Sequence, residues 1–194
     1  MEHEEGRPYP EGALSVRRIG RRDWEFHYPR LTDEVYDAFH EGIDLWEMGE
    51  NAAAEERYRQ LVHDWPEFID AHHHLALVLD ETDRREEAYV IWQETVALGL
   101  ACMPMTLRTG RDRLPWQFLD NRPFLRAYHG LGLAHLERGY VKRALGIFEH
   151  ILALNPSDNQ GRHPRRREAA SQGSVSHQSF WRVWQYWEPP RLVR

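Results

Sequence analysis

From residue 34 onward the apolar residues fall on helical steps, and the pattern repeats. Tyr36, Phe39, Gly42, Ile43, Leu45 and Trp46 follow one another at mostly three- and four-residue spacing, the mark of an amphipathic helix. Gly49 stands where that helix should stop, since glycine accepts the left-handed conformation of a C-cap. Asn51 then reads as the N-cap of a second helix, which carries Ala54, Tyr58, Leu61 and Val62 on one face and ends at Pro66. The same layout returns 34 residues later, with Gly42 followed by Ala76, Leu45 by Leu79, Ala54 by Ala88 and Tyr58 by Trp92. Asp83 and Glu86 predict a capping box at the start of the second helix of that copy, which carries Ile91, Trp92 and Val96. Leu100 replaces the proline, so this helix is expected to run towards Met103, just before Pro104. A third copy shows Pro123 in a first helical turn, Gly139 at a helix end, and Gly132, Ala144, Phe148, Ile151 and Pro156 at the matching places.

A period of this length with small residues at fixed points predicts helical hairpins stacked side by side. The expected organisation is an N-terminal extension (1–33), a helical domain (34–158) and a C-terminal tail (159–194). The repeats are expected at about 35–68, 69–102 and 125–158, separated by an insertion at 103–124. The insertion is 22 residues long, because Ala88 and Ala144 are 56 apart rather than 34. Trp116 and Phe118 are expected to pack it onto the neighbouring hairpins. Trp24, Phe26 and Tyr28 alternate as extended chain does, and are expected to cover the first helix, since an end repeat otherwise leaves apolar surface exposed.

Small residue, small residue, aromatic, aliphatic and proline at these offsets resemble the tetratricopeptide repeat family, most fully in the first and third copies. About 102 residues carry the resemblance, which also extends to bacterial members of undefined role. It implies an all-α, right-handed superhelical stack of antiparallel helix pairs that binds another protein or a peptide in its concave groove. In that family the first helix of each repeat lines the groove at its second, fifth, ninth and twelfth positions. Carried over, these offsets give Tyr36, Phe39, Ile43 and Trp46, then Asp70, His73, Leu77 and Asp80, then Arg126, His129, Leu133 and Leu136. Such a surface is aromatic and apolar with a few charges, suited to an extended or helical peptide. Members that hold the acidic carboxyl terminus of chaperones use a clamp of Lys, Arg and Asn. Phe39, His73 and His129 at the fifth positions, with Ile43, Leu77 and Leu133 at the ninth, depart from that clamp.

Composition narrows the picture further. Cys102 is the single cysteine among 194 residues, which excludes an internal disulfide and suggests a reducing, cytoplasmic setting. No apolar run reaches the roughly 18 residues of a membrane span, and the acidic start does not read as a secretory signal. The net charge of −6 is unevenly spread. Residues 162–194 hold seven Arg against Glu168 and Glu188, about +5, leaving about −11 for the rest. Phe180, Trp181, Trp184 and Trp187 in that tail suggest an improvised cap, or aromatic segments that complete the stack of a second copy as a homodimer. Its arginines and tryptophans also suit phosphates and unstacked bases, but the acidic body argues against nucleic acid.

The chemistry-bearing residues point to no reaction and no cofactor. His72, His73 and His74 are consecutive on a helix, so they project about 100° apart and cannot converge on one metal ion. Asp70 and His74 have the spacing of a ligand pair, but the expectation is no metal site. Cys102 lies at the apolar end of a helix with no histidine near it in sequence, and reads as a buried thiol. Gly130 and Gly132 lie within a helix and do not form a phosphate-cradling loop. The sequence therefore predicts a binding module, with no enzymatic site.

Overall fold

A small residue on one helix lying under an aromatic ring on the next sets the packing of the chain. A Cβ added to Gly42 would come 2.8 Å from the Tyr58 ring, and one added to Gly132 would come 2.5 Å from the Phe148 ring. The helices of the first and third pairs thus approach too closely for any side chain at those points. The computed structural model describes residues 14–157, and every structural statement here concerns them. Six helices follow one another as three antiparallel pairs: α1 (Asp33–Glu47) with α2 (Asn51–Asp64), α3 (Ile69–Glu81) with α4 (Arg85–Ala101), and α5 (Arg122–Glu137) with α6 (Val141–Leu154). Each helix packs on its successor, and α3 also lies against α5. Helix α4 has 17 residues where α2 and α6 have 14, as its missing proline implies. The aromatic tail lies outside the described residues, so its expected capping role is not addressed.

The helix ends differ from the sequence expectation in an informative way. Asn51 is the first residue of α2 rather than its cap, and neither α2 nor α4 has a side-chain cap. Asp83 adopts φ 64°, matching Gly49 at 81° and Gly139 at 74°, which occupy the same place in the other two copies. Asp83 therefore closes α3 instead of opening α4. Around these three residues the main chain forms the same Schellman closure. Glu50, Arg84 and Tyr140 donate to the carbonyls of Leu45, Leu79 and His135 at 2.9, 2.8 and 2.8 Å. Aspartate tolerates the left-handed region better than most residues, so the backbone requirement of the repeat overrides the capping signature.

The N-terminal extension forms a β-hairpin of β1 (Ser15–Arg18) and β2 (Trp24–His27), paired Ser15 with His27 through Arg18 with Trp24. Its aromatics are expected to cover the first helix; Phe26 and Trp24 instead meet α5 and the 3-10 turn before it. The Phe26 ring lies 5.1 Å from that of Phe124 at the start of α5, tilted by 34°. Asn121, fully buried in a 3-10 turn (Leu119–Asn121), accepts from the Phe26 amide at 3.0 Å. Its side-chain amide also donates to the carbonyls of Trp24 at 3.0 Å and Pro115 at 3.1 Å. One side chain thus satisfies the edge of β2 and fixes the insertion to it. The insertion reaches the last helix as well: the Leu114 amide donates to the Leu154 carbonyl at 2.7 Å, and Trp116 is buried. Leu136, Tyr140, Val141 and Leu145 stand exposed on the last pair, where the described stack ends.

Two glycines in helix interiors should respond in opposite directions to alanine. A Cβ at Gly99 would lie 2.2 Å from the Phe124 ring, whereas nothing lies within 4 Å of one at Gly146. Gly146→Ala should stabilise by up to about 1 kcal/mol through helix propensity. Gly99→Ala gains the same propensity but forces Phe124 from its place, for a net loss of about 1–3 kcal/mol. Urea unfolding midpoints of the two variants check the signs.

Candidate functional site

Helices α1, α3 and α5, the first of each pair, lie side by side and carry the residues expected to line a groove. Side chains join them directly. The Phe39 ring stands 4.8 Å from His74, edge to face, and the Trp46 indole N–H donates to Glu81 at 2.7 Å, tying α1 to α3. Arg126 of α5 places one guanidinium nitrogen 2.7 and 2.6 Å from the two oxygens of Asp70, tying α5 to α3.

These contacts divide the expected groove residues into two sets. Phe39, Trp46, His73 and Leu77 are buried, at 4%, 7%, 1% and 4% exposure. Phe39 lies among Tyr58, Phe68 and His74, and the Trp92 indole donates to His73 Nδ1 at 3.3 Å. These four, with the buried Asp80, act between helices and offer little surface to a partner. Tyr36, Ile43, Asp70, Arg126, His129 and Leu133 keep part of their surface, and Leu136 is exposed. Fewer of the twelve expected offsets are therefore open to solvent, because the fifth positions are used for packing in the first two repeats.

The polar members of this surface are electrostatically coupled. Burial works to raise the Asp70 carboxyl, but the Arg126 charge, a hydrogen bond from His74 and the nearby His74 and His73 rings outweigh it and hold the group well below the usual carboxylate range. Burial pushes His129 down to about 4 and His73 well below the ordinary imidazole value, so both rings are neutral at pH 7. The three consecutive histidines diverge as helix geometry requires. His72 bonds the Pro66 carbonyl, His73 meets Trp92, and His74 bonds the Asp70 carbonyl. Among the described residues no group of three His, Cys, Asp or Glu is arranged to hold a metal ion. Cys102 is buried, and its thiol is pushed up by that burial, which suppresses the nucleophilic thiolate. No described helix is long and apolar enough to cross a membrane.

The extension and insertion contribute residues that the periodic pattern did not mark. Tyr28 is buried at 8% exposure, and its hydroxyl is raised by burial and by the charges of Asp70 and Asp120. Arg30 reaches Glu67 at 3.1 Å, just ahead of α3. The extension therefore closes over the N-terminal ends of α3 and α5. Its alternating aromatics were the available signal, but their partners lie up to 98 residues away in sequence, from Phe26 to Phe124.

Among solved structures, the TPR2B domain of yeast Sti1, in its complex with pHsp70, matches 79% of this chain and 98% of its own at 16% identity and a TM-score of 0.50. The fold is a tetratricopeptide-repeat stack. MamA matches at 20% identity and TM-score 0.44, and this chain covers 56% of its length, less than two thirds. A tetratricopeptide repeat protein of Parabacteroides merdae matches at 13% identity and TM-score 0.46, with 66% and 43% of the two chains covered. At such identities the likeness speaks to the fold alone. No family model and no curated protein matches the sequence.

The neutral histidines of the repeat stack set a pH dependence. His129 stays unprotonated in the folded chain down to about 4 but takes a proton near 6.5 when unfolded, so its contribution to stability is complete above 6.5 and is lost as pH falls towards 4. The full window corresponds to about 3 kcal/mol. Asp70 acts elsewhere, below its unperturbed value of 3.8. Urea midpoints between pH 7.5 and 4.5 should fall with acidification, and His129→Phe should flatten part of that slope. An unchanged slope in the variant removes the assignment.

Proposed function

We propose that this repeat stack is a protein-binding module that takes a peptide or helix along the exposed remainder of its groove. The observation that carries the reading is the set formed by Tyr36 and Ile43 of α1 with Arg126, His129 and Leu133 of α5, partly exposed on two helices that Trp46–Glu81 and Asp70–Arg126 each tie to α3. Because these side chains are held before a partner arrives, docking costs little ordering entropy. This set combines one guanidinium engaged by a carboxylate, two aliphatic side chains, a phenol and a neutral imidazole. That mixture favours an apolar segment with a few polar contacts over a strongly acidic one. The buried set, Phe39, Trp46, His73 and Leu77, acts as support that fixes the partly exposed one. The Sti1 domain of similar fold was solved with pHsp70, which accords with peptide binding by this architecture.

Self-association through terminal aromatics is the other reading. On the N-terminal side Trp24, Phe26 and Tyr28 are occupied in the chain's own core, at 6%, 0% and 8% exposure, and Phe180, Trp181, Trp184 and Trp187 lie outside the described residues. The groove is therefore the better supported of the two.

Replacing exposed groove residues without touching the buried set tests the proposal. Ile43→Asp with Leu133→Asp should leave the circular dichroism spectrum and melting temperature close to those of the parent. A protein retained from native lysate by the parent should be retained at least roughly tenfold less by the variant, a loss of about 1.4 kcal/mol. Equal retention by parent and variant would sink the groove reading.

A further inference from the structure

The fold separates charge into two exposed surfaces, an acidic one on the first helix pair and a basic one fastened to the third. Helix α1 carries Asp33, Glu34, Asp37, Glu41, Asp44 and Glu47 and has no Lys or Arg. At about 100° per residue these six carboxylates fall within an arc of roughly 140°. Its buried residues Val35, Phe39, Gly42 and Trp46 lie on the opposite side. All six acids are exposed, and several stand three or four positions apart, where like charges destabilise a helix. Arg57 reaches Glu41 at 2.7 Å and relieves one of them.

Elsewhere in the fold two arginine-rich segments, far apart in sequence, are brought together. The end of β1 and the turn after it hold Arg17, Arg18, Arg21 and Arg22, and the insertion holds Arg108, Arg111 and Arg113, all exposed. The Arg113 amide donates to the Arg22 carbonyl at 2.7 Å, and the Trp24 amide donates to the Arg113 carbonyl at 2.9 Å. Asp23 pairs with Arg113 at 2.7 Å and Asp112 with Arg111 at 2.8 Å. Seven arginines against Asp23 and Asp112, and against Glu25 and Asp120 beside Arg17, leave a surplus of about three positive charges, with Ile19 exposed at 43% among them. The insertion fastens this surface to the third pair, through Leu114 to Leu154 at 2.7 Å and Thr109 to His150 at 3.0 Å. The acidic arc belongs to the first pair.

We propose that the acidic arc of α1 docks on the arginine surface of a second copy, head to tail. The two surfaces are complementary in charge, both are exposed, and both belong to the same chain, so a second copy supplies the partner that each lacks. Such a contact uses different patches on the two partners and leaves one of each free, so assembly is open-ended. Single exposed ion pairs contribute little, but opposed clusters of this size act together and lose strength with salt. The folded body offers nucleic acid little in comparison, because Trp24, the aromatic nearest the arginines, is buried and cannot stack on bases. This contact is independent of the groove, since Ile43 and Leu133 belong to neither charged surface.

Sedimentation velocity on the full chain, from about 5 to 200 µM and at roughly 50 and 300 mM salt, tests the proposal. The expected result is a mass that grows with concentration at low salt, with association weakened on the order of tenfold at high salt. A patch variant (Arg21→Glu, Arg108→Glu) and an arc variant (Asp37→Lys, Asp44→Lys), each with unchanged helicity and melting temperature, should be monomeric alone. Mixed in equal amounts they should form dimers and stop there, because only one complementary contact remains between them. Both keep the seven arginines beyond residue 161, so the difference between them does not arise there. A parent that stays monomeric throughout overturns the proposal, as does self-association that survives either variant or a mixture that fails to pair. If the monomeric parent instead binds a labelled 20-nucleotide single-stranded RNA and the patch variant does not, the arginine surface serves a separate polyanion and the second copy is ruled out.

Discussion

The close approach of paired helices, made by a small residue beneath an aromatic ring, is the constraint on which the rest of the structure depends. Gly42 under Tyr58 and Gly132 under Phe148 set the spacing within two pairs. Gly130 against Trp92 and Gly99 against Phe124 extend the same device between pairs, since α3–α4 and α5–α6 meet there. Interiors are packed as densely as organic crystals, so these contacts leave no room for a methyl group. They also fix which faces of α1, α3 and α5 remain outward, and hence where any partner can be met.

That constraint explains what was legible in the sequence. Rings and small residues must keep their offset for the helices to meet, so the 34-residue period survives in a single chain and gives the helices, their order and their length. The Schellman closures follow the same logic. A left-handed residue is needed at 49, 83 and 139, and the chain supplies Gly, Asp and Gly. Local rules misread Asp83, because a carboxylate three residues before Glu86 resembles a capping box. Only its equivalence to two glycines reveals the backbone demand.

The groove was less legible, for a different physical reason. Positions in the first helix of a repeat can face a partner or the next repeat, and in the first two copies the fifth position turns inward. Phe39 and His73 are core residues for that reason, while His129, at the corresponding place in the third, keeps some surface. Periodicity cannot make this distinction, since both roles demand the same spacing. The position of the N-terminal extension was hidden more deeply. Asn121 holds Phe26 and Trp24 through hydrogen bonds across 95 and 97 residues, and nothing in its local sequence marks it as the anchor.

Asn121 also connects the two surfaces from which function was argued. Its side chain bonds β2 on one side and the Pro115 carbonyl on the other, so the β-hairpin and the insertion move as one body. That body places Tyr28 over the ends of α3 and α5, and its far side gathers the arginines of 17–22 and 108–113. An N-terminal extension and an insertion thereby become a single cover with an arginine-rich exposed face. The acidic arc of α1 needs no such device, because the period itself gives α1 one face for the core and frees the other. The regular part of the chain thus supplies the negative surface, and the irregular part supplies the positive one. The segregation of charge is therefore a consequence of the extension and the insertion, which Asn121 and the main-chain bonds of Arg113 to Arg22 and Trp24 hold together.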